Sequence, residues 1–268
     1  MPSSPRRKPS MFIQRPDARL HTLSFGQGPL TLLATGGWVG SGEVWHDVFG
    51  QLPHWRCIGV DHRGTGASTH AGPITVEAMA DDLLAVADAQ HVVGPCVLAA
   101  ESAGAATALQ AVLRAPGRFA GLVLVGASWQ RPVPGAQDAF IASLQRDYTA
   151  TLRAFVDNCL PETGSVELRR WGLQILSRAS VEDAVALIAC RGSLQFEEHV
   201  RRIDLPVLLL HGDADRIVPV QSSRDLAARL PRAELQVMPG LGHVPLMTEP
   251  AQVAALIDRF GAQAADRQ

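Results

Sequence analysis

Six short, nearly unbroken apolar runs punctuate the chain: LTLLAT at 30–35, RCIGV at 56–60, PCVLAA at 95–100, AGLVLVG at 120–126, PVLLLHG at 206–212 and ELQVMPG at 234–240. A strand covered on one face alternates apolar and polar side chains, whereas one covered on both faces is apolar throughout, so these runs predict buried strands. Between them the spacing becomes helical. TVEAMADDLLAVADAQ (75–90) repeats its apolar positions at Val76, Met79, Leu83, Leu84 and Ala87, the period of an amphipathic helix. AGAATALQAVLRAPGRF (103–119) is rich in alanine and leucine and ends on Pro116-Gly117, a helix-forming composition followed by a stop. SSRDLAARL (222–230) and PAQVAALIDRF (250–260) are two further helices, and Pro250 suits the first turn of the second. Alternating strands and helices predict an α/β fold, a mostly parallel central sheet flanked by helices.

The alternation breaks once. From 128 to 203 no strand pattern is present, and AQDAFIASLQRDYTATLRAFVDNCL and SVELRRWGLQILSRASVEDAVALIAC carry helical periodicity on either side of a PETG turn. This predicts a helical cap at 128–203 inserted into a sheet domain made of 11–127 and 204–262, with tails at 1–10 and 263–268. Trp129, Phe140, Tyr148, Phe155, Trp171 and Phe196 either line a pocket beneath the cap or form the cap's own core.

Composition narrows the function classes. The 268 residues include 24 Lys+Arg against 26 Asp+Glu, a formal net charge of -2. That balance gives no electrostatic reason to expect a nucleic acid or an anionic membrane as partner. Cys57, Cys96, Cys159 and Cys190 form no C-x-x-C pair, so no metal is expected, and Cys57 and Cys96 fall in apolar runs as reduced core residues. The start MPSSPRRKPS is followed by no apolar h-region, and no apolar run reaches the roughly 18 residues of a membrane span. The expectation is a cytoplasmic protein without a cofactor; its oligomeric state is not readable.

Open parallel sheets gather ligands at the carboxyl ends of their strands. There the chain carries GGWVGSGEVW, DHRGTGAS, Ser102 within VLAAESAGAA, DADRIVP and LGHVP. A serine hydroxyl needs an adjacent base to act as a nucleophile, histidine is suited to that at neutral pH, and the imidazole needs a carboxylate to fix its tautomer. Taken alone, Ser102 could equally be a helix N-cap. The order serine, aspartate, His243 is that of the α/β-hydrolase nucleophile system.

The five segments together resemble the α/β-hydrolase superfamily, in particular its capped serine esterases and lactonases, over about 18–262. GGWVGSGEVW resembles the oxyanion loop H-G-x-x-G-S-x-x-x-W with Gly36 in place of the histidine. VDHRGTGAS resembles D-x-R-G-x-G-x-S. AESAG resembles the nucleophile elbow G-x-S-x-G with Ala100 in place of the first glycine. LLLHGDADRIVP resembles the acid loop, and MPGLGHVPLMTEP resembles the histidine loop. The resemblance implies a catalytic triad of Ser102, Asp215 and His243, with Asp213 shaping its loop and His211 structural. It implies an oxyanion hole from the backbone N–H groups of Trp38 and Ala103, and a scaffold role for Asp61, Arg63 and Gly64. Gly37, Glu101, Trp129 and Val244 are the candidate pocket residues. Glu101 either hydrogen-bonds the active-site base or is a structural carboxylate, and the Trp38 ring either walls the pocket or packs under the cap.

The function implied is hydrolysis of a small-molecule carboxylic ester or lactone through an acyl-enzyme. The alternatives are C–C or amide hydrolysis or cofactor-free perhydrolase chemistry on the same triad, or a ligand-binding receptor with little turnover.

Overall fold

The computed structural model describes residues 7–193 and 198–265. Phe196, residues 1–6 of the tail expected at 1–10 and residues 266–268 of the tail expected at 263–268 lie outside them. The elements are β1 (Arg7–Gln14), β2 (Ala18–Phe25), β3 (Leu30–Thr35), α1 (His46–Gly50), β4 (Trp55–Val60), β5 (Thr69–His70), α2 (Val76–Ala89), β6 (Cys96–Glu101), α3 (Gly104–Arg114) and β7 (Gly121–Val125). They continue with α4 (Asp138–Arg146), α5 (Tyr148–Cys159), α6 (Val166–Leu176), α7 (Val181–Ala189), β8 (Val207–Gly212), α8 (Val220–Ala227), β9 (Ala233–Met238), α9 (Pro245–Thr248) and α10 (Pro250–Ala265).

The described strands form one nine-stranded sheet in the order β1-β2-β4-β3-β6-β7-β8-β9, with β5 paired to β2. From β4 to β9 all neighbours are parallel, and β2 runs antiparallel to β1, β4 and β5. The six apolar runs are β3, β4, β6, β7, β8 and β9, each within a residue or two of its sequence bounds. Leu33, Leu98, Leu122 and Leu209 pack into one apolar cluster, while Leu32, Val97, Val123 and Leu208 pack into another. Successive residues thus serve opposite faces of the sheet, which is why the runs do not alternate.

The antiparallel edge carries little apolar signal. β2 includes the buried Thr22 and the partly buried His21, both of them bonded there: Thr22 Oγ1 donates to the Met11 carbonyl (3.2 Å) and His21 Nδ1 to Asp61 Oδ2 (2.9 Å). β1 begins at Arg7, so the tail expected at 1–10 is corrected over its last four residues. Its main chain pairs Arg7 with Phe25 and Lys8 with Ser24. Beyond Ile13, which packs into the core, this backbone pairing holds the edge strand. Likewise α10 runs to Ala265, past the expected limit at 262.

Four helices, α4 to α7, lie between β7 and β8. The two long helical patterns are each split by a cap. Asp147 accepts from the Ala150 amide at the start of α5 (3.0 Å), and Ser180 from the Asp183 amide at the start of α7 (3.0 Å), satisfying amides that have no intrahelical partner. Trp38 Nε1–H donates to the Ala184 carbonyl (2.8 Å), and its ring meets Phe140 and Phe155 edge-on at centroid distances of 5.0 Å. Arg178 pairs with Glu43 (2.6 Å) and His70 with Asp183 (2.9 Å). These contacts seat the helices over the carboxyl ends of β3, β6 and β7.

The DHRGTGAS turn beneath them is a bracket. Asp61 accepts from the amides of Gly42 (2.8 Å) and Ala67 (2.9 Å), and buried Arg63 reaches Asp82, Asp17 and the Pro73 carbonyl. Cys57, Cys96 and Cys159 are buried free thiols. Among the described residues, no helix is long and apolar enough to cross a membrane.

Candidate active site

β6 stops at Glu101 and α3 starts at Gly104, so the chain reverses within two residues. Ser102 makes the turn at φ +50°, a left-handed conformation that costs a non-glycine residue about 1–2 kcal/mol. The turn is pinned on both sides. The Ser102 amide donates to the Val125 carbonyl (2.8 Å), and its own carbonyl accepts from Ala105 (3.1 Å) and Ser128 (3.1 Å). The residue capping α3 is Ala103, so the Ser102 hydroxyl is not spent on the helix. The methyl of Ala100, where the elbow pattern has glycine, is buried in the apolar cluster on one face of the sheet. Position 104 has no such tolerance, because a Cβ there would stand 2.4 Å from the Gly36 carbonyl oxygen. Gly104→Ala is expected to push the 36–38 loop away and to destabilise by roughly 1–3 kcal/mol, the usual range for overpacking, read as a lowered denaturation midpoint with lowered activity.

His243 sits in the loop between β9 and α9, wholly buried. Its Nε2 accepts from the Ser102 hydroxyl (2.7 Å), and its Nδ1–H donates to Asp215 Oδ2 (2.7 Å). Asp215 follows β8 and is held firmly. Its Oδ1 accepts from the Ile217 (2.7 Å) and Val218 (2.9 Å) amides, and His211 Nε2 lies 3.2 Å from Oδ2. His211 in turn accepts at Nδ1 from the Ser223 hydroxyl (2.7 Å). Burial opposes charge on Asp215, but the hydrogen bonds from His211, His243 and Val218 outweigh it and hold the carboxyl well below the usual carboxylate range. Burial also opposes charge on His243, but the bond to Asp215 and the carboxylates of Asp215 and Glu101 raise the ring above the ordinary histidine value. Asp213 lies outside this chain of bonds and accepts from the Gly240 amide (2.6 Å).

The loop after β3 brings Gly37 and Trp38 beside the elbow. A Cβ on Gly37 would lie 2.4 Å from Glu101 Oε2 and 2.8 Å from Ser102 Cβ, so only glycine allows this approach. His62 braces the loop from behind, its Nε2–H donating to the Gly37 carbonyl (2.8 Å), and burial pushes its pKa down so that it stays neutral.

A family model described as "Serine aminopeptidase, S33" matches residues 46–251. The chain belongs to this family and is an α/β-hydrolase. It is 30% identical over 260 residues to a pimeloyl-[acyl-carrier protein] methyl ester esterase of Nitrosomonas europaea, covering 90% of this chain and 99% of that one. It is also 30% identical over 244 residues to a putative carbamate hydrolase of Caulobacter segnis, covering 83% and 88%. In fold it resembles a thermophilic esterase from Thermogutta terrifontis, with a TM-score of 0.87 at 23% identity over 96% of this chain and 100% of that one.

In this hydrolase Ser102 and His243 open onto a cavity of about 50 Å³ lined mainly by apolar side chains, among them Trp38, Phe155, Leu160, Leu176, Val244 and Met247. Gly37, Glu101 and Val244, expected at the pocket, line it. Trp38 both walls the cavity and packs under the cap helices. Trp129 does not line it, which corrects the expectation. Its indole donates to the Ser222 carbonyl (3.0 Å) and its ring lies beneath Arg229, so it is buried against α8 instead. Direction decides this: Gly126, at φ +58°, turns the chain after β7, and Trp129 follows the turn.

The hydrolase also carries site residues that no motif marked. The His243 amide donates to the Cys159 carbonyl (2.9 Å) at the end of α5, and the Gly242 amide to Glu162 Oε1 (2.6 Å). The helical insertion therefore grips the histidine loop through its backbone. The only available signal was the PETG turn, which gives no partner. Among the described residues no group of three or more His, Cys, Asp or Glu side chains is gathered to hold a metal.

Proposed function

We propose that the protein hydrolyses a carboxylic ester through an acyl-enzyme on Ser102, with His243 as the base and Asp215 as its orienting carboxylate. The observation that carries this reading is the unbroken chain Ser102 Oγ–His243 Nε2 and His243 Nδ1–Asp215 Oδ2, both links at 2.7 Å, starting from a serine at φ +50°. In the reaction His243 Nε2 takes the hydroxyl proton as Oγ attacks the ester carbonyl. Negative charge moves to the carbonyl oxygen, where the backbone N–H groups of Trp38 and Ala103 receive it. The imidazolium gives its proton to the departing alcohol, and water deprotonated by the same nitrogen releases the acid. The ester named for the Nitrosomonas europaea relative supports an acyl ester as substrate class, and the apolar lining suits an uncharged acyl group.

The test is covalent. A fluorophosphonate probe is expected to add one phosphonyl group to the intact protein, mapped to Ser102 by peptide mass spectrometry, with ester turnover lost in parallel. Turnover that continues with Ser102 unlabelled at probe excess would overturn the proposal.

A further inference from the structure

Glu101 is the last residue of β6 and precedes Ser102 directly. It is 6% exposed and lines the cavity at Ser102. Its Oε1 lies 3.5 Å from His243 Nε2, and its carboxylate accepts from the Gly37 amide. His243 therefore has a carboxylate at each ring nitrogen, Asp215 at Nδ1 and Glu101 at Nε2. Only the first is needed to set the tautomer. A buried carboxylate beside a nucleophile is costly to keep, since it must be desolvated without a cation of its own.

We propose that Glu101 is a positioning residue for the acyl transfer, its carboxylate holding the protonated ring of His243 on the Ser102 side while it anchors the Gly37 amide of the oxyanion loop. This rests on the reading of Ser102 as nucleophile and His243 as base. The interaction is differential. With Ser102 protonated, Nε2 carries a lone pair and Glu101 gains nothing from it. When the proton crosses from Oγ to Nε2, a cationic N–H appears 3.5 Å from Oε1, and the pair forms as the tetrahedral intermediate forms. In a cavity with little water such a charge pair is weakly screened. The second contact serves the same step, because Gly37 directly precedes Trp38, whose amide faces the oxyanion in the proposed mechanism.

The charges around His243 fix the sign of the effect. Asp215 with His211 behind it comes from the loop after β8, and Glu101 comes from β6. Cys159 ends α5, its thiol kept neutral by burial, and Glu162 beyond it is tied to Gly242. Burial pushes Glu101 up to about 7, against the pull of the His243 charge and the Gly37 amide, so it ionises in the range where His243 must be neutral. The two groups then titrate as a pair, and the acid limb of kcat/KM in the wild type spreads over two protonations. Glu101→Gln keeps an acceptor for the Gly37 amide and removes one of the two anions that favour the imidazolium. The acid limb is expected to sharpen to one proton and to move down by roughly one pH unit. Plateau kcat is expected to fall about tenfold, less than the roughly 10²–10⁴-fold supplied by a group that itself moves the proton, with KM unchanged.

An acid limb with the wild-type position and slope in Glu101→Gln, or one displaced upward, overturns the inference. A measurement on the wild-type protein covers the case of a variant that does not fold: the His243 ring nitrogens, followed by nitrogen NMR across pH 5–9, are expected to shift in two steps, and a single step overturns it. Failure of fluorophosphonate to label Ser102 would sink the proposed mechanism, whereas normal labelling with an unmoved limb would sink only the role of Glu101.

Discussion

Ser102→Ala is expected to lower kcat toward a short-chain aryl ester by about 10⁴-fold or more, the scale on which removing a nucleophile from a coupled triad acts. KM should stay within a few-fold, because the cavity walls are unaltered. The fold should persist. Every backbone bond that pins the elbow, from the Ser102 amide to Val125 and from Ala105 and Ser128 to the Ser102 carbonyl, is available to alanine. What disappears is the hydroxyl at 2.7 Å from His243 Nε2. The measurement is steady-state turnover of purified protein beside a thermal melt. A variant that melts like the wild type and turns over at the wild-type rate would refute the assignment of Ser102.

Asp215→Asn should reach a similar magnitude, a loss in kcat of about 10⁴ at neutral pH, by a different route. Asp215 Oδ1 accepts from the Ile217 and Val218 amides, so an asparagine would keep its oxygen there and turn its NH₂ toward His243. The imidazole would then present a lone pair at Nδ1 and carry its proton on Nε2, the nitrogen that must accept from Ser102. The variant is tested by comparing its rate with that of the wild type between pH 6 and 9. Unchanged turnover would show that the carboxylate does not set the tautomer. The same substitution bears on stability. The folded carboxyl of Asp215 is depressed, so its contribution is present above the unfolded carboxylate value and is lost only as pH falls through the folded one. Asp215→Asn should therefore weaken the protein at neutral pH and flatten its acid denaturation.

The parallel strands, the flanking helices and the helical insertion were legible because each rests on local spacing. The identities of Ser102, Asp215 and His243 were legible because their loops follow strand ends in a recognisable order. β1 and β2 were not, since β1 sends only Ile13 into the core among its described side chains and the polar His21 and Thr22 of β2 are held by bonds to residues far away in the chain, as with His21 and Asp61. The split of each long helical pattern was written in Asp147 and Ser180, both N-cap residues, but nothing nearby marks them as caps rather than as solvent-facing positions. Trp129 misled because a tryptophan next to a strand end is placed by the direction of the chain after Gly126, and that direction is not local.

For this protein the sequence by itself determined the kind of fold and the groups available for chemistry, because periodicity and motif spacing act over a few residues. Tertiary structure alone decided how those groups meet. It set Ser102 at φ +50° against His243, put the Glu101 carboxylate 3.5 Å from the Nε2 that faces Ser102, and fastened the histidine loop to the Cys159 carbonyl. Those distances depend on how β6, β8 and the end of α5 pack against one another, and packing is a property of contacts between residues far apart in the chain.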